Sequence, residues 1–187
     1  MSTLFYIKNF MKDRYVASIT PTSPFGVKSV CDKIDFGRSQ VIVEYGAGTG
    51  VFTQYMLRKM GADTRLIVIE RNPQFKCVLQ ENFKDPRVEI VNDSAENILE
   101  ALKRFDVGKV DYVISGIPFL WLKDEVKNRI LCNTHWVLKD QGKFLAYQTF
   151  FQTSRDLKVH LERYFSKVRV KYEFINIPPL CIYEAIK

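Results

Sequence analysis

With 187 residues, 47% of them hydrophobic, the chain is long enough for one well-packed domain and too short for two comfortable ones. No stretch approaches the run of about 20 apolar residues that spans a bilayer, and charges near the N-terminus spoil a secretory signal, which predicts a cytoplasmic protein, soluble or peripheral on the inner face of the cell membrane. A formal charge of +7 draws polyanions such as nucleic acid or an acidic leaflet, but it also describes many ordinary proteins and does not choose among them.

Taken as a helix, residues 3–16 gather Leu4, Ile7, Phe10, Met11 and Tyr15 on one broad face, opposite Lys8, Asn9, Lys12 and Asp13. Arg14 falls within the apolar arc, from which it can snorkel. Two readings stay open: a helix lying in a membrane interface with its cations on anionic headgroups, at about 1 kcal/mol each, or an amphipathic helix packed on its own domain. Residues 1–23 are therefore set apart as an N-terminal helix and substrate-side segment, and 24–187 as the main domain.

Pro24 behind Ser23 starts a helix that should run to about Ile34. Short β-branched or aromatic runs predict strands at Val41–Tyr45, Arg65–Glu70, Arg87–Val91, Val110–Ser115 and Lys143–Thr149. Helices should start near Val51, Pro73 (capped by Asn72), Ser94 and Asp124. This alternation implies a mostly parallel sheet with helices on both faces and a ligand at the carboxyl ends of the strands. After a helix from about Ser154 to Tyr164, the runs Val168–Phe174 and Leu180–Ile186 are joined with no room for a helix, which makes an antiparallel final pair.

The first strand ends in "VIVEYGAGTG", residues 41–50. A dinucleotide fingerprint needs a third small residue where Val51 stands, and no Walker lysine follows. The spacing Glu44, Gly46, Gly48, Gly50 instead bends the chain tightly and lets bare backbone approach a ligand beside an acid. S-adenosylmethionine carries an ammonium, a sulfonium and a ribose diol but no phosphate, so acids should surround it. Glu70 ends the second strand, where a carboxylate can accept both ribose hydroxyls by analogy with dinucleotide folds. Asp93, in "NDSAE", can accept from the adenine amine while the Ser94 backbone N–H donates to the ring. Cys31, Cys77, Cys132 and Cys181 are scattered and read as small buried hydrophobes, with neither disulfide nor metal expected. His135 and His160 read as bystanders.

"EYGAGTG", "VIE" ending at Glu70, "NDSAE" and the hairpin ending resemble the class I S-adenosylmethionine-dependent methyltransferases. The resemblance implies a Rossmann-like α/β fold, a seven-stranded mostly parallel sheet with an antiparallel last strand and helices on both faces. It also implies that Glu44 helps to hold the methionine ammonium. Tyr45, Arg71, Ala95, Ser115 and Thr22 complete the expected cofactor site around Gly46, Gly48, Gly50, Glu70, Asp93 and Ser94.

"DYVISGIPF", residues 111–119, lies where such enzymes present the methyl acceptor. Relatives that methylate adenine carry Asn or Asp at the place held here by Gly116, ahead of a proline and an aromatic, here Pro118 and Phe119. They also append a helical domain after the last strand, which is not expected for this chain. The stretches "ASITPTSP" (17–24), "SGIPF" (115–119) and "NIPPLCIY" (176–183) resemble more closely the bacterial phospholipid N-methyltransferases, which act on phosphatidylethanolamine or, in related members, ornithine lipids. "IPFLWL" (117–122) either lines acyl-chain access or begins a buried helix.

Attack by an amine requires its neutral form and surroundings that tolerate a cation, to which aromatic faces are suited. Tyr147 and Tyr183 are the candidates near Gly116 and Pro118, with Tyr45 weaker. The leading expectation is a lipid-headgroup N-methyltransferase at an anionic membrane surface. Adenine methylation of nucleic acid comes second, and a non-catalytic S-adenosylmethionine-binding protein third.

Overall fold

The computed structural model describes residues 22–150 and 155–187. The expected interfacial helix over residues 3–16 and most of the stretch 17–24 lie outside the described residues. Strands β1 (Val41–Tyr45), β2 (Arg65–Ile69), β3 (Val88–Val91), β4 (Val110–Ser115), β5 (Leu138–Thr149), β6 (Lys167–Glu173) and β7 (Leu180–Ile186) form one sheet. Its order is β3-β2-β1-β4-β5-β7-β6. Every neighbouring pair is parallel except those of β7, which runs antiparallel to both β5 and β6. The expected seven-stranded α/β sheet with an antiparallel last strand is what the chain forms.

The central strands are near-continuous apolar runs because helices cover both of their faces. On one face α1 (Pro24–Cys31), α2 (Val51–Lys59) and α3 (Pro73–Asn82) bury Val27, Val30, Phe52, Met56 and Leu79 against Ile42, Leu66, Val68, Ile114 and Leu145. On the other, α4 (Ile98–Arg104), α5 (Asp124–Val137) and α6 (Arg155–Glu162) bury Ile98, Leu102, Ile130, Leu131 and Leu161 against Val43, Ile67, Val113 and Phe144. The connection from β1 leads to β2 on one side, while β4 lies on the other. Chain direction across the sheet therefore reverses between β1 and β4, leaving a crevice at their carboxyl ends.

Local chemistry sets most boundaries. Ser23 Oγ accepts the Gly26 N–H and Pro24 opens α1. Asn72 Oδ1 caps α3 through Gln74 N–H and Phe75 N–H. Three expectations shift. α1 stops at Cys31 rather than near Ile34, although Ile34 stays buried. The helix expected from Ser94 begins as a short 3-10 turn, Ala95–Asn97, and becomes α-helical only at Ile98. β5 starts five residues early, because Leu138 is buried and pairs with Val110. The polar stretch after it bulges, with Gln141 at φ 63°, before Lys143 regains register with Tyr112.

The cysteines need a correction: Cys31 and Cys181 are buried, but Cys77 and Cys132 are exposed, since both sit on outward faces of α3 and α5. His160 is buried with Nδ1 at 3.0 Å from Asn128 Oδ1, and His135 lies edge-on to Phe165. Among the described residues no helix is long and apolar enough to cross a membrane.

Gly50 is the N-cap of α2 at φ 84°, and a Cβ there would lie 2.3 Å from the Phe83 ring and 2.9 Å from Leu79. Gly50→Ala should therefore combine left-handed backbone strain with a core clash and destabilise the fold by about 2–4 kcal/mol. Urea unfolding measures this, and Phe83→Leu in the same chain should recover part of the loss. An unchanged midpoint would contradict it.

Candidate active site

Three acids stand at the carboxyl ends of β1, β2 and β3. Glu44 is 1% exposed. Its Oε2 accepts the Thr53 hydroxyl at 2.6 Å from the first turn of α2, while Oε1 has no hydrogen-bond partner. Burial first, opposed by the Thr53 bond and reinforced by the nearby Glu70 charge, pushes this carboxyl up from 4.5 to about 8. An orphaned buried acceptor of this kind is what a cationic donor would satisfy.

Glu70 is 5% exposed and bridges two loops: Oε2 accepts the Gly48 N–H at 3.0 Å and Oε1 the Asn72 N–H at 2.8 Å. Gly48, at φ 57°, can aim its N–H this way because it adopts the left-handed region that a side chain disfavours. Asn92 fixes the backbone beneath, donating to the carbonyls of Glu70 at 2.8 Å and Arg71 at 3.0 Å. Arg71 itself is exposed at the rim.

Asp93 is more occupied than the sequence reading expected. Its Oδ1 accepts from Ser94 N–H at 2.8 Å and Asn97 Nδ2 at 2.7 Å, and its Oδ2 faces Arg104 at 3.4 Å. The Ser94 N–H assigned to a purine ring is thus turned onto the neighbouring carboxylate. Ser94 Oγ caps the turn through Glu96 N–H, and Ala95 is buried.

At the other wall of the crevice, a Cβ on Gly116 would lie 2.5 Å from the Tyr147 hydroxyl and 3.2 Å from the Gly46 carbonyl. Gly46 takes φ 67°, with its own missing Cβ facing Ile117. The glycine loop, the loop after β4 and the Tyr147 phenol therefore meet at one point. Tyr147 stacks on Phe52 of α2 at 4.2 Å between ring centroids. Pro118 and Phe119 are buried, whereas Leu120 and Trp121 are 40% and 39% exposed. "IPFLWL" is thus part core and part rim.

Several expected site residues are not brought here. Tyr45 and Tyr183 point to the opposite face of the sheet and belong to the core under α4, α5 and α6. Tyr45 bonds Thr134 Oγ1 at 3.1 Å, and burial raises the phenols of both tyrosines well above their usual range. Ser115, fully buried, accepts the Ile117 N–H on Oγ and shapes the turn rather than facing the crevice. Gly50 makes room for Phe83 instead of a ligand. Thr22 sits where α1 begins, its methyl 2.8 Å from the position of a Cβ on Gly26.

Conversely, Thr53, Phe52 and Asn92 were missed. A threonine and a phenylalanine in a first helical turn carry no sequence signal of what they touch, and Asn92 reads only as a strand-end turn residue. Among the described residues no group of three or more His, Cys, Asp and Glu is placed to hold a metal ion.

The family described as Methyltransferase domain matches residues 42–142. The chain is 28% identical to an ornithine lipid N-methyltransferase of Singulisphaera acidiphila, over 96% of this chain and 93% of that one. It is 29% identical to a probable ribosomal RNA small subunit methyltransferase A of Methanococcoides burtonii, over 49% of this chain and 30% of that one. In fold it is similar to precorrin-6y C5,15-methyltransferase of Geobacter metallireducens, with a TM-score of 0.72 at 19% identity, covering 94% of this chain and 96% of that one.

The Glu44 environment has a measurable consequence. Its folded pKa near 8 lies above the ordinary 4.5, so the folded state holds the proton more tightly. Glu44 therefore costs no stability below about pH 4.5 and destabilises the free protein progressively as pH rises through 8, by on the order of a few kcal/mol. Urea titrations from pH 5 to 9 should show the difference in stability between Glu44→Gln and wild type growing with pH. A pH-independent difference would contradict the assignment.

Proposed function

The chain belongs to the methyltransferase-domain family and is an S-adenosylmethionine-dependent methyltransferase; from that premise we propose that it methylates the amine of a membrane-lipid headgroup, such as phosphatidylethanolamine or an ornithine lipid. The observation that carries this reading is the similarity to an ornithine lipid N-methyltransferase along nearly the whole of both chains. The crevice agrees with an amine acceptor. No amide or carboxylate projects from position 116, and the polar group over that position is a phenol backed by an aromatic ring.

When bound, S-adenosylmethionine supplies a methyl group made electrophilic by its sulfonium. Glu44 Oε1, without a hydrogen-bond partner in the free protein, would hold the methionine ammonium, whose positive charge would offset the desolvation of the carboxylate and favour its ionised form. Glu70, fixed at both oxygens by backbone N–H groups, would accept from the ribose hydroxyls. Asp93 would stand beside the adenine, and burial of the crevice floor would exclude water from the charged end of the donor.

On the acceptor side, the Tyr147 hydroxyl accepts an N–H from the neutral substrate amine and points the nitrogen lone pair at the methyl carbon. Alignment of that kind lowers the barrier by removing the entropic cost of bringing the two reacting groups into line. The stacked faces of Phe52 and Tyr147 suit the cation that forms as the methyl group is transferred. Acting on headgroups would bring the enzyme to a membrane surface.

Incubation with radiolabelled S-adenosylmethionine and total cell extract should send label into the chloroform phase, and then into phosphatidylethanolamine or ornithine-lipid vesicles. Label confined to RNA would overturn the lipid reading in favour of an adenine acceptor. Tyr147→Phe keeps the stack on Phe52 and removes only the hydroxyl. Turnover should fall about 10- to 100-fold with cofactor affinity, measured by calorimetry, changed less than about threefold. Unaltered kcat would remove Tyr147 from the acceptor site.

A further inference from the structure

The connection between β6 and β7 is inside out. Within it the polar Asn176 is only 3% exposed, while Phe174, Ile175 and Ile177 are 72%, 64% and 85% exposed. Hydrogen bonds hold this inversion in place. Asn176 Oδ1 accepts the Ser23 backbone N–H at 2.8 Å, and Asn176 Nδ2 donates to the Pro178 carbonyl at 2.6 Å. Glu173 Oε1 accepts the Ile175 N–H at 3.1 Å, and the Phe150 N–H donates to the Pro179 carbonyl at 2.8 Å. The loop is clamped between the first turn of α1 and the end of β5, and with Asn176 fixed inward its neighbours Ile175 and Ile177 face outward.

Phe25, 60% exposed, stands at the same junction, because Gly26 beside it leaves its Cβ position to Asn176, 2.8 Å away. These four side chains make an apolar crest at the carboxyl end of the sheet, the end that also carries Gly116 and Tyr147. A cluster of large exposed apolar groups on rigid backbone marks an interaction site rather than random exposure. The flanking charge says what kind. β6, which leads into the crest, exposes Lys167, Arg169 and Lys171, and residues 167–180 hold three cations against one carboxylate, Glu173, itself occupied by the Ile175 N–H. Protein interfaces are depleted in lysine, whereas an anionic headgroup layer attracts each cation placed near it.

We propose that the β6–β7 crest is a membrane-docking element, with Phe174, Ile175 and Ile177 entering the boundary between headgroups and acyl chains of an anionic bilayer and Arg169 and Lys171 resting on its headgroups. The crest rests on the lipid-substrate reading for its purpose, since it would seat the acceptor side of the crevice against the membrane. Docking itself is measured without turnover.

The experiment uses the full chain and vesicles of phosphatidylcholine with or without phosphatidylglycerol. Wild type should co-sediment with the anionic vesicles. Ile175→Ser with Ile177→Ser should lower that affinity at least tenfold, with unfolding midpoint and S-adenosylmethionine binding unchanged. Arg169→Glu with Lys171→Glu should do the same, and salt should mimic it. Ile177→Trp should gain a vesicle-dependent blue shift in emission beyond that of wild type. Absence of vesicle binding by wild type, equal binding by the serine variant, or Ile177→Trp emission indifferent to vesicles overturns the docking role, including the cases in which the crest instead covers a second copy of the chain or packs under residues 1–21. Docking through the crest with no methyl transfer to any lipid leaves the element standing and overturns the substrate reading. Methyl transfer to a dispersed short-chain lipid by a protein that does not dock does the reverse.

Discussion

A carboxyl group buried at the end of a central parallel strand is costly unless each of its oxygens is met, and Glu44 is met on one only. The residue that meets it, Thr53, lies in the first turn of α2, so the fold must return α2 directly over the end of β1. Gly50 permits that return by capping the helix at positive φ while Phe83 fills the space of its missing side chain. Phe52, the residue before Thr53 on the same turn, stacks on Tyr147 and so fixes the phenol above Gly116. One helical turn thus supports both walls of the crevice: the carboxyl proposed for the donor and the hydroxyl proposed for the acceptor. Anything that shifts this turn moves the two together.

Architecture was legible because it depends on signals that are local and repeated. Short, near-continuous apolar runs separated by capped helices imply a parallel sheet, and Ser23, Asn72 and Ser94 act at helix starts as their chemistry requires. The strand-end acids were legible for the same reason, since a carboxylate just past an apolar run has few structural uses. What escaped was parity. Tyr45 and Glu44 are sequence neighbours, yet a strand sends them to opposite faces, and only Glu44 reaches the crevice side. Tyr147 and Tyr183 are both candidates by sequence, but the β5–β7 register sets Tyr147 opposite Ile182 and Tyr183 opposite Ala146, on opposite faces. The register of an antiparallel pair joined across a helix and a hairpin is decided by packing over the whole sheet, and no short window contains it. Asp93 escaped differently: its type and place were right, but its partners, Ser94 N–H and Asn97, come from the tight turn that follows.

A chain with a net charge of +7 nevertheless sets three acids at the ends of its first three strands. Glu44, Glu70 and Asp93 line the strand ends, and Glu44 is raised in part by the nearby Glu70. Buried acids outside the crevice are matched instead: Glu184 takes Lys33 at 3.1 Å and Lys143 at 2.9 Å, which together hold its carboxyl below the usual range against the opposing effect of burial. The contrast is informative. Glu184 sits among cations supplied by the chain and is complete without a ligand, whereas Glu44 sits where the chain supplies a hydroxyl and a second acid. A fold that neutralises one buried carboxylate twice over and leaves another half met gives the second the environment proposed here for the ammonium of a sulfonium donor. Lys167, Arg169 and Lys171 lie exposed along β6, at the outer edge of the sheet and away from the crevice.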